Sequence, residues 1–405
     1  MYSWGSDLWI PRLLGKNNPE ALPWAELWMG THPDAPSLAK FKNREAGLDK
    51  IIKKNPAYYL GEYAGTYRSL PFLFKILAAE QPLSIQAHPN LSQAQEGFKR
   101  ENKAGLAMDD PTRNYKDPNH KPEMICALTP FTGMCGFRGT AEIRGLLRDF
   151  FNPAGRVIPP VFQALHNGMK PLMVFLEDPD TGTALRNFLH ALFALKNELR
   201  GELSSYIIYE GMRRLSAPQQ SGAISPVQWQ RMVYFAELYP GDPAVISPLY
   251  LNIFELEPGE AVFLHSGTLH AYVHGFGIEL MANSDNVLRG GLTSKHVDID
   301  ELLKVLDFTP YKPEIIKPPP LAVNFIYPAS CREFSLSVLS GAGNEIGFCE
   351  NSPAICVVIS GELEIRGKND AAIFKSGQSV FIPPSREPLS FRGNYTLYAA
   401  MVGQP

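Results

Sequence analysis

Gly259-Glu-Ala-Val-Phe-Leu264 returns near the end of the chain as Gly377-Gln-Ser-Val-Phe-Ile382, matching in its glycine, polar and apolar positions. A glycine turn running into Val and Phe is the pattern of a chain entering a β-strand. Six residues suggest a duplication without establishing one. Taken as real, the repeat predicts two related β-barrels. Counting eleven residues on from each glycine gives His270 in the first copy and Pro388 in the second. Only the first copy keeps a side chain able to bind a metal, so the second is expected to contribute stability or cover rather than chemistry.

The texture around these copies divides the chain. Ile253–Leu256, the turn Glu257-Pro-Gly259-Glu and Ala261–Leu264 read as a hairpin, with Gly267, Gly275 and Gly277 punctuating further short strands. From about Arg138 to Tyr239 the period becomes helical. Thr140 stands as a cap ahead of Ile143, Leu146, Leu147 and Phe150, and Leu185, Phe188, Leu189, Leu192, Phe193 and Leu195 repeat the spacing. Ser225-Pro226 starts a last helix, which Pro240-Gly241 stops. Lys317-Pro-Pro-Pro320 has the composition of a linker. The expectation is a mainly β chain with a helical insertion. Residues 1–137 and 242–315 form one β domain in two parts, 138–241 a helical domain without obvious site chemistry, and 316–405 a second β domain.

Composition is permissive. A chain of 405 residues can build two or three cores, and 45% apolar with 20% charged residues is ordinary for a globular protein. A net charge of -3 without a basic stripe argues against nucleic acid as a partner. Five cysteines without a CxxC pair favour unpaired thiols and a reducing compartment. No apolar run reaches membrane-spanning length and no signal segment is evident, so no membrane partner and a cytoplasmic location are expected.

One pattern carries chemistry. Leu83-Ser-Ile-Gln86-Ala-His88 reads as a strand that Pro89-Asn90 ends, and the i, i+2 spacing puts Gln86 and His88 on one face. Further on comes Asn119-His-Lys121-Pro-Glu123. An amide oxygen, an imidazole and a carboxylate aimed at one point supply three ligands for a divalent transition ion. A fourth is sought in Gly267-Thr-Leu-His270-Ala-Tyr272-Val-His274, where His270, Tyr272 and His274 would share a strand face. A lone histidine there more often packs or solvates than ligates, and Glu123 beside Lys121 could be a plain ion pair. The set gains weight because Gln86 and His88 share a face and prolines fix the backbone beside His88 and Glu123.

Gln86-Ala-His88-Pro-Asn, Tyr115-Lys-Asp-Pro-Asn-His120-Lys121-Pro-Glu123 and Met281-Ala-Asn-Ser-Asp285-Asn-Val-Leu-Arg289-Gly-Gly-Leu-Thr closely resemble the type I mannose-6-phosphate isomerase family. So do Tyr2-Ser-Trp4-Gly5-Ser6, Ala25-Glu-Leu-Trp28-Met-Gly-Thr-His32-Pro and Pro71-Phe-Leu-Phe-Lys75. The resemblance implies cupin-type (jelly-roll) β-barrels, a metal-binding catalytic cupin followed by a degenerate C-terminal one. It implies one zinc per chain on Gln86, His88, Glu123 and His270, and a catalytic Arg289. Ser84, His120, Lys121, Glu279, Asp285 and Lys295 would line the pocket. The substrate would be a small sugar phosphate in mannose use or GDP-mannose supply, and the protein a monomer. Family members carry several residues ahead of the Tyr-x-Trp-Gly segment, which here starts at residue 2; whether an initial strand is missing stays open.

Such chemistry has a physical rationale. Moving a carbonyl between adjacent carbons requires removal of a carbon-bound proton, leaving an enediolate that a Lewis acid stabilises. Two neutral imidazoles, an amide and one carboxylate leave a divalent ion about one net positive charge. Arg289 can hold an enediolate or a phosphate through paired hydrogen bonds, and Lys121 can bind phosphate. Glu279, Asp285 and His120 are each able to move the proton. A sugar-binding cupin without turnover and a metal-dependent oxygenase are the competing classes. The first would lack Arg289 and its acidic neighbours; the second prefers iron with two or three histidines.

Overall fold

A computed structural model describes residues 2–41, 44–152, 158–216, 222–319, 323–348, 351–385 and 387–403. The first part of the chain gives α1 (Trp9–Leu13), β1 (Glu26–Gly30), β2 (Leu38–Phe41), β3 (Arg44–Gly47), α2 (Leu48–Lys54) and α3 (Pro56–Leu60). Next come β4 (Phe72–Ala79), β5 (Gln86–Ala87), α4 (Leu91–Lys103), β6 (Glu123–Ala127) and β7 (Phe131–Phe137). A helical stretch follows: α5 (Thr140–Phe151), α6 (Gln163–Phe175), α7 (Thr181–Phe193), α8 (Asn197–Ser216), α9 (Pro226–Leu238) and α10 (Ser247–Tyr250). The chain then returns to sheet with β8 (Leu251–Leu256), β9 (Ala261–Leu264), β10 (His270–Ala282) and β11 (Leu288–Arg289), before α11 (Ile299–Val305). The last part holds β12 (Asn324–Tyr327), β13 (Ser335–Ala342), β14 (Ile346–Phe348), β15 (Ala354–Arg366), β16 (Ala371–Lys375), β17 (Ser379–Ile382) and β18 (Leu389–Met401).

β10 organises the first β unit. Its C-terminal half pairs with β4 and β6, extending to β1 and β9; its N-terminal half pairs with β5 and β7, extending to β11 and β8. Strand alternation then decides what each face buries. On β4, Phe72, Phe74, Ile76 and Ala78 join a core with Tyr327, Leu336, Ile355, Val357 and Tyr398, so this sheet's outer face packs on the C-terminal strands. Ile85, Ala87, Met134, Ala271, Val273 and Leu288 of the other sheet share a core with Phe150, Phe188, Leu189 and Trp229 of the helices. Between the sheets lie Leu77, Ala79, Ile125, Ala127, Val262, Leu264 and Tyr272. The C-terminal unit has its own interior, where Ala354, Cys356 and Val358 alternate with the outward Ile355 and Val357.

Several expectations need correction. The architecture is mixed helix and sheet rather than mainly β, and neither sheet system closes into a barrel. The sheets end at edges that other segments occupy: Ile316 bridges to Ala261 of β9, and β11 is only two residues long. The proposed hairpin is not one, because β8 pairs with β7 and β9 with β6. The Glu257–Glu260 turn carries the chain from one sheet to the other. Thr140 is the first helical residue; extended Gly139 stands in the cap position, without a side-chain bond. Ser225 caps α9 with Pro226 following, as the sequence indicated, and Gln228 completes a capping box that it did not. Cys126, Cys135 and Cys331 carry free thiols; Cys349 and the linker's Pro320 lie outside the described residues.

A register shift between Tyr272 and His274 bulges β10 against β7, with Gly275 at φ 137°. The bulge changes the strand's phase. His270 and Tyr272 point inward before it, whereas Phe276, Ile278 and Leu280 point outward after it, which leaves Glu279 inward. Without the extra residue His270 and Glu279 would face opposite ways. A Cβ on Gly275 would lie 2.6 Å from Phe131 Cδ2 and 2.9 Å from Phe131 Cα. Gly275→Ala is therefore expected to destabilise the fold by about 3 kcal/mol, combining left-handed backbone strain with overpacking. A denaturant melt within 0.5 kcal/mol of the parent, a margin ordinary for a neutral surface change, would contradict this.

Candidate metal centre

The inward faces of the first β unit are apolar at one end and ionisable at the other. Lys75, Glu123, His270 and Glu279 take the inward positions there, and His88 and Lys121 join them; all six are buried. His88 Nε2 lies 3.3 Å from Glu123 Oε1 and His270 Nε2 lies 3.3 Å from Glu123 Oε2. The opposite ring nitrogens are committed. His88 Nδ1 is 2.7 Å from the Asn286 carbonyl and His270 Nδ1 is 2.9 Å from the Thr268 carbonyl. A carbonyl only accepts, so each Nδ1 carries the proton and each Nε2 presents a lone pair.

Lone pairs therefore face lone pairs. His88 Nε2, His270 Nε2 and Glu123 Oε2 are buried without a hydrogen bond, and Glu123 Oε1 meets the Lys121 ammonium. Burial pushes the His88 imidazole down to about 4, outweighing the pull of Glu123, so it stays neutral. Burial pushes the Glu123 carboxyl up, but the Lys121 ammonium, whose Nζ is 2.9 Å from Oε1, holds it well below its usual range. Two nitrogen donors and a carboxylate converging within 4.8 Å are the donor set of a divalent ion such as zinc. Gln86 lies in register between His270 on β10 and Arg289 on β11, so the three are cross-strand neighbours. His274 is elsewhere: beyond the bulge it is exposed, 3.9 Å from Glu80.

Every other candidate acid or base has a partner. Glu279 pairs with Lys75 at 3.0 Å, and burial raises its carboxyl against the pull of that lysine. Lys75 also meets Glu26 at 3.3 Å and lies over Trp28 at 5.0 Å. Asp285 meets His32 Nε2 at 3.1 Å, and His120 Nε2 meets Glu333 Oε1 at 2.8 Å. His32, Asp34 and Asp285 also cluster, but His32 Nδ1 accepts the Asp34 amide at 3.3 Å, which puts its proton on Nε2 and leaves no lone pair there. Ser84 sits half-buried two residues before Gln86. Arg289 and Lys295 make no ion pair among the described residues; burial lowers both, and Arg289 and Lys116 lower Lys295 further. The glycines after Arg289 make room for protein instead of a ligand, since a Cβ on Gly291 would stand 2.2 Å from the Ala244 Cβ.

Asn286, fully buried, ties the parts together. Its carbonyl holds His88, its Oδ1 accepts the Lys116 and Asp117 amides at 2.7 and 3.2 Å, and its Nδ2 donates to the Asp117 and Asn119 carbonyls at 2.8 and 2.9 Å. It thus fixes one ligand and the loop leading to Lys121 and Glu123. Asn286, Lys75, Glu26, His32 and Glu333 escaped sequence reasoning. Lys75 had left a signal, a cation amid the apolar run Phe72–Ala79 that needs a buried partner. Glu333, 213 residues from His120, had left none.

Known proteins share this arrangement of segments. Residues 1–140 match the family described as phosphomannose isomerase type I, catalytic domain. Over 397 residues the chain is 39% identical to the mannose-6-phosphate isomerase of Salmonella typhimurium and 37% to that of Escherichia coli, covering 97% of this chain and 95% of each relative. The human mannose-6-phosphate isomerase is 35% identical over 323 residues, 76% of this chain and 71% of that protein. A solved phosphomannose isomerase from Salmonella typhimurium, 36% identical, covers 100% of this chain and 97% of its own with a TM-score of 0.86. A zinc-bound mannose 6-phosphate isomerase matches with the same identity, coverage and TM-score. With identity and fold agreeing across both β units and the helices between them, the chain belongs to the type I mannose-6-phosphate isomerase family.

Proposed function

We propose that this chain interconverts mannose 6-phosphate and fructose 6-phosphate through an enediolate, with one zinc ion on Gln86, His88, Glu123 and His270. One observation carries the metal centre: two imidazoles with fixed protons aim their lone pairs at a buried carboxylate that meets Lys121 through Oε1 and has no hydrogen bond at Oε2. When bound, zinc supplies a Lewis acid that polarises the sugar oxygens and lowers the barrier to removing the carbon-bound proton. The open two-sheet unit around it is then a cupin-type jelly roll, residues 138–241 a helical insertion and 316–405 a degenerate second cupin.

The protein's own groups supply the rest. Arg289, Lys295 and Lys116 gather positive charge without a close ion pair among the described residues, which suits a phosphate and a developing enediolate. Arg289, in register beside Gln86, is the one nearest the ligand row and takes the catalytic role. Lys121, 2.9 Å from Glu123, and Ser84, two residues before Gln86, would line the pocket, and His120, Glu279 and Asp285 are the groups able to hold or move the proton. The amide ligand and surrounding cations fit an anionic sugar better than oxygen chemistry.

Elemental analysis of the purified protein is expected to find about one equivalent of zinc per chain. His88→Ala and His270→Ala should each lose most of it, whereas full retention in both would place the ion elsewhere. Turnover of mannose 6-phosphate should cease on chelation and return with metal; turnover that persists in metal-free protein would refute the proposal.

Arg289→Ala is expected to lower kcat by roughly a hundredfold, about 2.7 kcal/mol, with metal content unchanged. Arg289→Lys separates charge from the planar fork, partial activity indicating the former. A raised KM with kcat intact would reduce Arg289 to a phosphate ligand.

A further inference from the structure

The C-terminal unit, expected from sequence to give only stability or cover, delivers a carboxylate to the metal-site loop. Glu333 lies between β12 and β13 and accepts from His120 Nε2 at 2.8 Å. Its position is rigid: the adjacent Phe334 is fully buried, and its ring centroid is 6.1 Å from that of Phe263 on β9. Its other oxygen, Oε2, is buried beside the Arg332 and Glu333 backbone. His120 immediately precedes Lys121, and the loop is pinned from its far side by Asn286 and by Ser284, which donates to the Asn119 carbonyl.

We infer that Glu333 is a positioning residue that acts through His120, fixing its imidazole as the Nε2–H tautomer and turning the Nδ1 lone pair toward the sugar. This rests on the isomerase reading above. A carboxylate on the far nitrogen orients the ring and stabilises the imidazolium that forms when Nδ1 takes a proton. In the step concerned, a sugar O–H bond breaks as the Nδ1–H bond forms, and the electron pair stays on the sugar oxygen. The same proton returns to a sugar oxygen before the product leaves, so the isomerisation neither gains nor loses a proton. Phe334 ties this brace to the core between the two β units, which makes turnover dependent on their docking.

A double-mutant cycle on the full-length, zinc-loaded protein tests this. Glu333→Ala is expected to lower kcat for mannose 6-phosphate at least tenfold, with KM within about twofold and zinc content unchanged. Glu333→Gln, which keeps an acceptor oxygen, should recover part of the loss. In a His120→Ala background, adding Glu333→Ala should cost less than about twofold. Losses that multiply, or a kcat unchanged by Glu333→Ala, would overturn the inference. Imidazole 15N spectra give a readout independent of turnover: His120 should be the Nε2–H tautomer in the parent and a mixture in Glu333→Ala. An unchanged tautomer would also refute it. If the parent itself does not turn over mannose 6-phosphate, the proposed function falls and the spectra alone decide the role of Glu333.

Discussion

The structure depends on one strand serving two sheets. β10 gives its backbone hydrogen bonds to β5 and β7 along its first half and to β4 and β6 along its second. No other element touches both systems so fully, so its register sets the geometry of each. A slip of one residue would send His270 and Glu279 outward and bring Ala271 and Leu280 into the polar end. The bulge between Tyr272 and His274 lets both ionisable residues face inward from a strand whose simple alternation would separate them. Covering both outer faces, one with helices and one with the C-terminal strands, then removes the strand's freedom to move.

Within that frame the site is an electrostatic problem solved in layers. A carboxylate in the interior is costly unless paired and hydrogen-bonded. Glu123 has Lys121 on one side and two imidazoles that cannot donate on the other. The protein preserves this frustration by spending its hydrogen bonds on the far nitrogens of those rings. Asn286 is central, because one buried residue fixes the His88 tautomer and also shapes the loop that carries Lys121. Beyond it the Glu26–Lys75–Glu279 chain balances charge on the neighbouring strands. The cations around Arg289 have no close ion pair among the described residues, which favours an anion.

How much of this was legible depended on range. Gln86 and His88 were readable because their relation is local, two residues along an extended chain. The start of α9 was readable for the same reason, since the cap Ser225 and Pro226 are adjacent. His274 misled because alternation was carried across a bulge, and only tertiary contact between Gly275 and Phe131 reveals that the phase changes there. The β8–β9 hairpin misled similarly: a turn signal says that the chain reverses, not which strand it will pair with. Glu333 was invisible, as its role is set by the docking of two units. The glycines after Arg289 were noticed, but their reason lies with Ala244, in a segment that nothing local connects to them.

The ligands are divided by the helical stretch. His88 and Glu123 precede it, and His270 follows roughly 150 residues after Glu123, a delay on the order of ten seconds at ribosomal rates. During synthesis the first two ligands therefore exist without the third, and β4 and β6 exist without the strand that joins them. Their apolar faces wait for β10, which emerges only after α1–α10 have been made. The helices must close a long loop before the centre can form, at an entropic cost that grows only slowly with length. Assembly of the metal site is thus a late event in the life of each chain, and an ion captured there would report that the non-local half of the fold is complete.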